Sequence, residues 1–133
     1  MKKTYQGSCH CGQVRIEADF DLTEGTRKCN CSLCTKARIW EVLVPPSAFR
    51  LLAGADELVT YRFGDSMKHP FCRNCGVRPF GTGHVEQLGG DFVYVNLACI
   101  DGVDPAELAD PPVRFCDGRN DAWWLPPAET RHL

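Results

Sequence analysis

The sequence has no run of about 20 apolar residues, so it predicts no membrane-spanning helix. It also lacks an excess of charge of either sign, because 15 basic and 17 acidic residues give a formal net charge of -2. No cluster of basic residues is interleaved with aromatic ones, and no internal repeat or low-complexity segment is present. These absences give no reason to expect a membrane or a nucleic acid as a partner.

The first residues lack the apolar core of a secretory signal, because the basic start is followed by the polar stretch 4–8. We therefore expect a cytoplasmic protein, in a compartment where glutathione and thioredoxin disfavour disulfides. The abundant residue is cysteine, with nine in a chain of 133. An odd count leaves one thiol over in any complete disulfide scheme, so metal binding is the favoured interpretation.

Short strand patterns separated by glycine and proline predict a mainly β domain. Alternating or β-branched residues predict strands at 13–18, 39–44, 57–63 and 91–98, with a shorter one at 77–80. Residues 19–28 and 81–83 have the composition of loops, 48–52 fits a strand or a helical turn, and 104–108 fits one helical turn. We expect a single domain over residues 1–133, with a core at about 5–118 and a C-terminal tail at 119–133.

Seven of the cysteines fall into three groups with the spacing of metal ligands: Cys9 and Cys11; Cys29, Cys31 and Cys34; Cys72 and Cys75. Structural zinc sites are tetrahedral and are closed by four protein ligands. Two short pairs far apart in the sequence form such a site when the fold brings them together. The first and third groups are two such pairs, and each is followed at once by a glycine that tolerates the angles of a tight turn.

The middle group offers three thiolates from one loop and no obvious fourth ligand, an arrangement typical of catalytic zinc. Three thiolates on Zn²⁺ leave a net charge of -1, and a bound substrate thiolate would make it -2. Lys36 and Arg38 could offset that charge, although a solvated position is at least as reasonable for both. Alternatively, Cys99, Cys116 or a histidine closes this site and makes it structural.

The other polar and aromatic candidates have plainer interpretations. His10 and His69 adjoin ligand cysteines but are expected to be exposed or hydrogen-bonded, and His84 and His132 are expected at the surface. Cys99 and Cys116 are expected to be small core residues. The three tryptophans fit the core better than the walls of a pocket: Trp40, Trp123 and Trp124.

The motifs G-S-C-H-C-G-x-V, C-N-C-S-x-C-x-K, F-C-R-N-C-G and V-N-x-x-C-I-D, between Gly7 and Asp101, resemble the glutathione-dependent formaldehyde-activating enzyme family, also called the Gfa or CENP-V-type family. The resemblance implies an Mss4-like β-tent of antiparallel sheets stapled by zinc. It also implies two zinc ions per chain. It assigns a structural zinc to Cys9, Cys11, Cys72 and Cys75. It assigns a catalytic zinc, whose site need not be fully occupied, to Cys29, Cys31 and Cys34.

The implied activity is that of a carbon–sulfur lyase that makes S-hydroxymethylglutathione from glutathione and formaldehyde. The chain departs from the family pattern where Thr35 to Arg38 replace a common glycine, and its tail resembles one subgroup. The leading hypothesis is therefore a zinc-dependent lyase acting on a glutathione-like thiol adduct. The alternative is a non-enzymatic interaction module in which both zinc sites are structural, and a nucleic-acid-binding module ranks last. The sequence indicates neither a general acid or base nor an oligomeric state.

Overall fold

The computed structural model describes all residues from 1 to 133 and has ten strands and two short α-helices. The strands are β1 Lys3–Ser8, β2 Arg15–Phe20, β3 Thr26–Cys29, β4 Glu41–Val44, β5 Phe49–Ala53, β6 Leu58–Tyr61, β7 Met67–Cys72, β8 Phe80–Val85, β9 Gly90–Asn96 and β10 Val113–Cys116. The helices are α1 Ser32–Ala37 and α2 Pro105–Ala109. Neither helix has the length or the apolar run needed to cross a membrane.

The strands form two sheets, which confirms the prediction of a mainly β fold. The smaller sheet has the order β1-β2-β5, and the larger has the order β10-β3-β4-β9-β8-β7-β6. Every pair is antiparallel except β10 with β3, in which Cys116 lies opposite Cys29. The last strand of the chain thereby returns to the middle cysteine group.

The hydrophobic core lies between the two sheets. Side chains alternate between the faces of a strand, so Ile16 and Ala18 of β2 meet Val42 of β4 and Val95 of β9. The large sheet packs only one face in this way. Its opposite face carries the polar residues that alternate with these core positions, beginning with Arg27 and Cys29 on β3.

The segment 81–83 is part of β8, so the prediction of a loop there is wrong, as is the short strand predicted at 77–80. Gly81 is needed for clearance, because a Cβ atom there would lie 2.1–2.4 Å from atoms of the Tyr94 side chain on β9. Gly83 makes the same room for the Phe92 ring, at 2.7 Å. Two aromatic rings thus lie over glycines of the neighbouring strand. Sequence composition alone does not distinguish a glycine that gives such clearance from a glycine in a turn.

The tail beyond residue 118 is held against the domain by hydrogen bonds. The Arg38 guanidinium donates a hydrogen bond to the His132 carbonyl oxygen over 2.6 Å, and the Asp117 amide donates to the Leu125 carbonyl. Trp123 and Trp124 are 41% and 75% exposed, so the prediction that they belong to the core is wrong. Trp123 lies at the surface beside Cys29, because a Cβ atom added at Gly118 would contact both side chains.

Candidate metal centres

The structure brings together the sulfurs of Cys9, Cys11, Cys72 and Cys75, all within 4.8 Å of one another. The Sγ atom of Cys11 lies 3.6 Å from that of Cys9 and 3.6 Å from that of Cys72. A tetrahedral zinc with Zn–S bonds of about 2.3 Å requires sulfurs about 3.8 Å apart. The spacing of these four sulfurs, which we call the four-sulfur cluster, therefore fits a single tetrahedral ion.

Two similar turns aim these sulfurs. The Cys9 amide donates to the Val14 carbonyl over 3.0 Å, and the Cys72 amide donates to the Val77 carbonyl over 3.0 Å. Gly12 and Gly76 complete the turns with φ angles of +80° and +76°, the left-handed region that glycine tolerates. The turns end β1 of the small sheet and β7 of the large sheet, so the cluster joins the two sheets.

Cys29, Cys31 and Cys34 form a second group, whose sulfurs also lie within 4.8 Å of one another. We call it the three-sulfur cluster. Cys29 ends β3, while Cys31 caps α1 and its sulfur accepts a hydrogen bond from the Cys34 amide at 3.3 Å. The strand end and the first helical turn therefore fix all three sulfurs, although no sequence pattern predicted this six-residue helix.

The turn after α1 lies in the segment from Thr35 to Arg38, where the glycine expected from the family pattern is absent. Arg38 occupies the C-cap with φ 55° and ψ 44°, a left-handed conformation that usually favours glycine. Its guanidinium donates a hydrogen bond to the His132 carbonyl oxygen. The chain therefore keeps a left-handed turn here with an arginine tied to the tail.

The C-terminal segment encloses the three-sulfur cluster from one side. The buried Asn30 donates from Nδ2 to Asp117 at 2.8 Å, and its Oδ1 accepts from the Arg119 amide at 3.0 Å. Between these contacts lies Gly118, where a Cβ atom would be 2.6 Å from the Cys29 sulfur and 2.5 Å from the Trp123 ring. Any side chain at this position would collide with a candidate metal ligand.

We expect Gly118→Ala to weaken metal binding at the three-sulfur cluster by roughly ten- to a hundredfold, since overpacking costs about 1–3 kcal/mol and about 1.4 kcal/mol is a factor of ten. Competition with a chromophoric chelator measures this affinity. The four-sulfur cluster in the same molecule is the internal control, because Gly118 does not contact it. Equal affinities for the second ion in the variant and the wild type would contradict this account.

The charges near the three-sulfur cluster differ from those expected. Lys36 is exposed and the Arg38 guanidinium binds the tail, so neither side chain is positioned to offset the charge of the three thiolates. The Arg27 guanidinium instead donates to the Cys116 sulfur at 3.2 Å. Arg78 lies 5.9 Å from the centre of the Tyr94 ring, and its buried Nε has no hydrogen-bond partner.

Three polar residues share the outer face of the large sheet: Glu41, His69 and Tyr94. The sequence indicated no role for Glu41 and Tyr94, and for His69 it predicted only an exposed or hydrogen-bonded position. The His69 Nδ1 and the Tyr94 hydroxyl are 2.9 Å apart, and the His69 Nε2 is buried without a partner. Burial, helped by the Arg78 charge, lowers the pKa of His69 to about 4, and burial raises the pKa of Tyr94. Their strand positions look like ordinary sheet residues in the sequence, and only the register places them near one another.

No histidine, carboxylate or further cysteine joins the three sulfurs within the 4.8 Å that the group spans. Cys99 and Cys116 are buried as expected, with Cys116 accepting the Arg27 hydrogen bond. His10 is exposed, and His69 is buried and hydrogen-bonded. None of the nine cysteines forms a disulfide. The arrangement thus offers one four-ligand and one three-ligand sulfur site.

Sulfur-only donor sets suit zinc better than magnesium or calcium, which take oxygen ligands. Both clusters therefore fit zinc in donor chemistry, and the four-sulfur cluster fits it in spacing as well. The four-ligand set is complete for a structural ion, whereas the three-ligand set leaves one tetrahedral position for water or an external thiol.

The family model of the glutathione-dependent formaldehyde-activating enzymes matches residues 4–117 of the chain. A protein of Emericella nidulans, provisionally named as such an enzyme, is 33% identical over 99 residues, which cover 68% of this chain and 49% of that protein. A similarly named protein of Penicillium rubens is 29% identical over 97 residues, covering 68% and 51%. The chain thus spans about half the length of these relatives.

The fold also has a counterpart among solved structures. A crystal structure of a Rhodobacter sphaeroides protein, determined as a structural genomics target, superposes with a TM-score of 0.67 at 32% identity. The match covers 82% of this chain and 99% of that one. The similarity therefore extends over most of the two-sheet domain.

Proposed function

The chain belongs to the glutathione-dependent formaldehyde-activating enzyme family, and on that premise we propose that it is a zinc-dependent carbon–sulfur lyase acting on a glutathione-like thiol. The proposed reaction joins the thiol to formaldehyde to give an S-hydroxymethyl adduct, or reverses that step. The family match supports the reaction class, and the relatives' names support the two substrates.

The observation that carries the proposal is the absence of a fourth protein ligand at the three-sulfur cluster. A non-enzymatic module with two structural zinc sites needs both sites closed, and Cys99, Cys116 or a histidine would have to close the second. None of these lies within 4.8 Å of all three sulfurs. The free position supports binding of an external sulfur, as an enzyme of this class requires.

We assign the roles of the cysteines accordingly. Cys9, Cys11, Cys72 and Cys75 would hold a structural zinc, and Cys29, Cys31 and Cys34 would hold a second zinc at the reaction site. When bound there, zinc lowers the pKa of a substrate thiol and orients its sulfur. The chain's own contribution is to keep the three sulfurs fixed through the end of β3 and the cap of α1.

We also propose that residues 1–133 act as one domain. The contacts of Arg38 with His132 and of Asn30 with Arg119 join the tail to the reaction site. The tail at 119–133 would therefore form one wall of the site.

The proposal is tested by the rate at which glutathione and formaldehyde combine in the presence of the zinc-loaded protein. Exchange NMR measures the rate at equilibrium, where free formaldehyde hydrate and the adduct give separate signals. We expect an exchange rate that increases in proportion to the protein concentration. The matched control is the wild-type protein loaded with one zinc per chain, and equal rates with and without protein would contradict the enzyme and favour the interaction module.

A further inference from the structure

We propose that Glu41 is the acid–base residue of this site, accepting the proton of the substrate thiol and returning it to the oxygen of the hydroxymethyl group. The inference rests on the proposed function. It supplies the proton-transfer group that the sequence did not indicate.

The strand register places Glu41 on the same side of the large sheet as the three-sulfur cluster. Glu41 begins β4 and lies directly opposite Arg27 of β3, so the two side chains emerge from the same face. Cys29 follows Arg27 by two residues on β3 and shares that face. The carboxyl group thus belongs to the outer face that carries the first sulfur of the cluster.

Glu41 is an unusual acid, because it is only 8% exposed and its carboxyl group makes neither a hydrogen bond nor an ion pair, while the carboxyl oxygens keep some contact with solvent. Buried carboxylates in proteins are ordinarily paired, since an unpaired buried charge costs several kcal/mol. The nearest cations do not form such a pair, as Arg27 is bound to the Cys116 sulfur. A free carboxyl group held in this place suits a ligand or proton that arrives from outside.

The electrostatic surroundings of Glu41 support exchange of a proton near neutral pH. Burial raises the pKa of Glu41 to about 7, the Arg27 and Arg78 charges oppose the rise, and the Cys31 charge adds to it. Glu41 is therefore close enough to the cluster for the charge of Cys31 to act on it.

Two neighbouring groups are less suited to the same role. His69 stays neutral because its pKa is lowered to about 4, and its Nδ1 is occupied by the Tyr94 hydroxyl. Burial raises the pKa of Tyr94, so its hydroxyl remains protonated at neutral pH. Both can position or polarise a substrate, but neither gains and loses a proton readily.

The proposed step balances in atoms and electrons. The Glu41 carboxylate takes the thiol proton, and the sulfur donates an electron pair to the formaldehyde carbon as the C–S bond forms. The C=O π bond breaks and its electrons move to oxygen, which takes the proton back from the Glu41 carboxyl group. The carboxylate is regenerated, so no oxidant or further reactant is required.

The test counts the protons released when glutathione binds to the zinc-loaded protein at pH 8, with no formaldehyde present. Titration calorimetry in buffers of different ionisation enthalpy gives this number. We expect the wild type to release clearly fewer protons than Glu41→Gln. The charge of the bound thiolate raises the pKa of Glu41 above its value of about 7 in the free protein, so that Glu41 keeps part of the thiol proton at pH 8. We expect close to one proton released by Glu41→Gln, which keeps the shape of the side chain but cannot accept a proton.

The kinetic readout is independent of this count. General acid–base catalysis contributes typically about 10²- to 10⁴-fold, so Glu41→Gln should lower the rate by at least about a hundredfold. Its zinc content should remain that of the wild type. Glu41→Asp should retain the low proton release and recover part of the rate, and it serves as the second variant if glutamine disturbs folding.

Glu86→Gln is the matched control, because Glu86 is exposed and lies on the turn between β8 and β9. This variant should match the wild type in proton count and rate. Equal proton release by wild type and Glu41→Gln would overturn the inference, even if the wild type catalyses the reaction. A wild type that retains the thiol proton through Glu41 but shows no turnover would instead refute the proposed function alone.

Discussion

Replacement of Cys11 by serine is expected to unfold the whole domain. Cys11 is exposed, so its loss removes almost no packing, and any large effect must come from the four-sulfur cluster. A structural zinc contributes about 10–16 kcal/mol in small zinc domains, against a total stability of about 5–15 kcal/mol for typical proteins. The loss of one of four ligands therefore removes a contribution comparable with the whole stability of the fold.

Circular dichroism and metal analysis on purified Cys11→Ser measure this effect. We expect no cooperative thermal transition and loss of the ion held by the four-sulfur cluster. Cys99→Ala is the matched control, since Cys99 is a buried cysteine outside both clusters and its replacement removes packing without removing a ligand. A folded Cys11→Ser protein with a melting temperature close to the wild type would show that the four-sulfur cluster does not hold the sheets together.

Replacement of Cys31 by serine should abolish catalysis and leave the fold intact. Cys31 caps α1 by accepting the Cys34 amide hydrogen bond, and serine is among the best residues for that role. The variant therefore keeps the helix cap and loses only the thiolate. We expect about one zinc ion fewer per chain and a reaction rate indistinguishable from that without protein.

Elemental analysis gives the zinc count of Cys31→Ser, and the exchange experiment gives its rate. Lys36→Ala is the matched control, because Lys36 lies in the same helix with its side chain exposed and should change neither value. Full activity in Cys31→Ser would exclude the three-sulfur cluster as the reaction site. Unfolding of this variant, in contrast, would mean that both clusters are structural.

The sequence indicated the cysteine groups well, because ligand spacing is a local property. Cys29, Cys31 and Cys34 lie within six residues, so no knowledge of the fold is needed to see that their sulfurs can converge. The approach of Cys9 and Cys11 to Cys72 and Cys75, in contrast, depends on the fold, because the two pairs lie far apart in the sequence. The structure brings those sulfurs together where β1 and β7 end.

The sequence did not indicate the groups around the second site, because register creates their proximity. Glu41 lies within the strand predicted at 39–44, and His69 lies three residues before Cys72. Neither pattern separates a site residue from a surface one. Gly81 was misassigned for a related reason. Its role depends on the Tyr94 ring of the adjacent strand, and that contact is invisible until β8 and β9 are aligned.

The separation of ligands along the chain also sets an order of assembly. The sulfurs of the three-sulfur cluster leave the ribosome together and can capture an ion while the chain is still unfolded. The four-sulfur cluster must wait for Cys72 and Cys75 and for closure of the long loop that separates them from Cys9. We expect the nascent chain to load the three-sulfur cluster first and the four-sulfur cluster only when the two sheets meet.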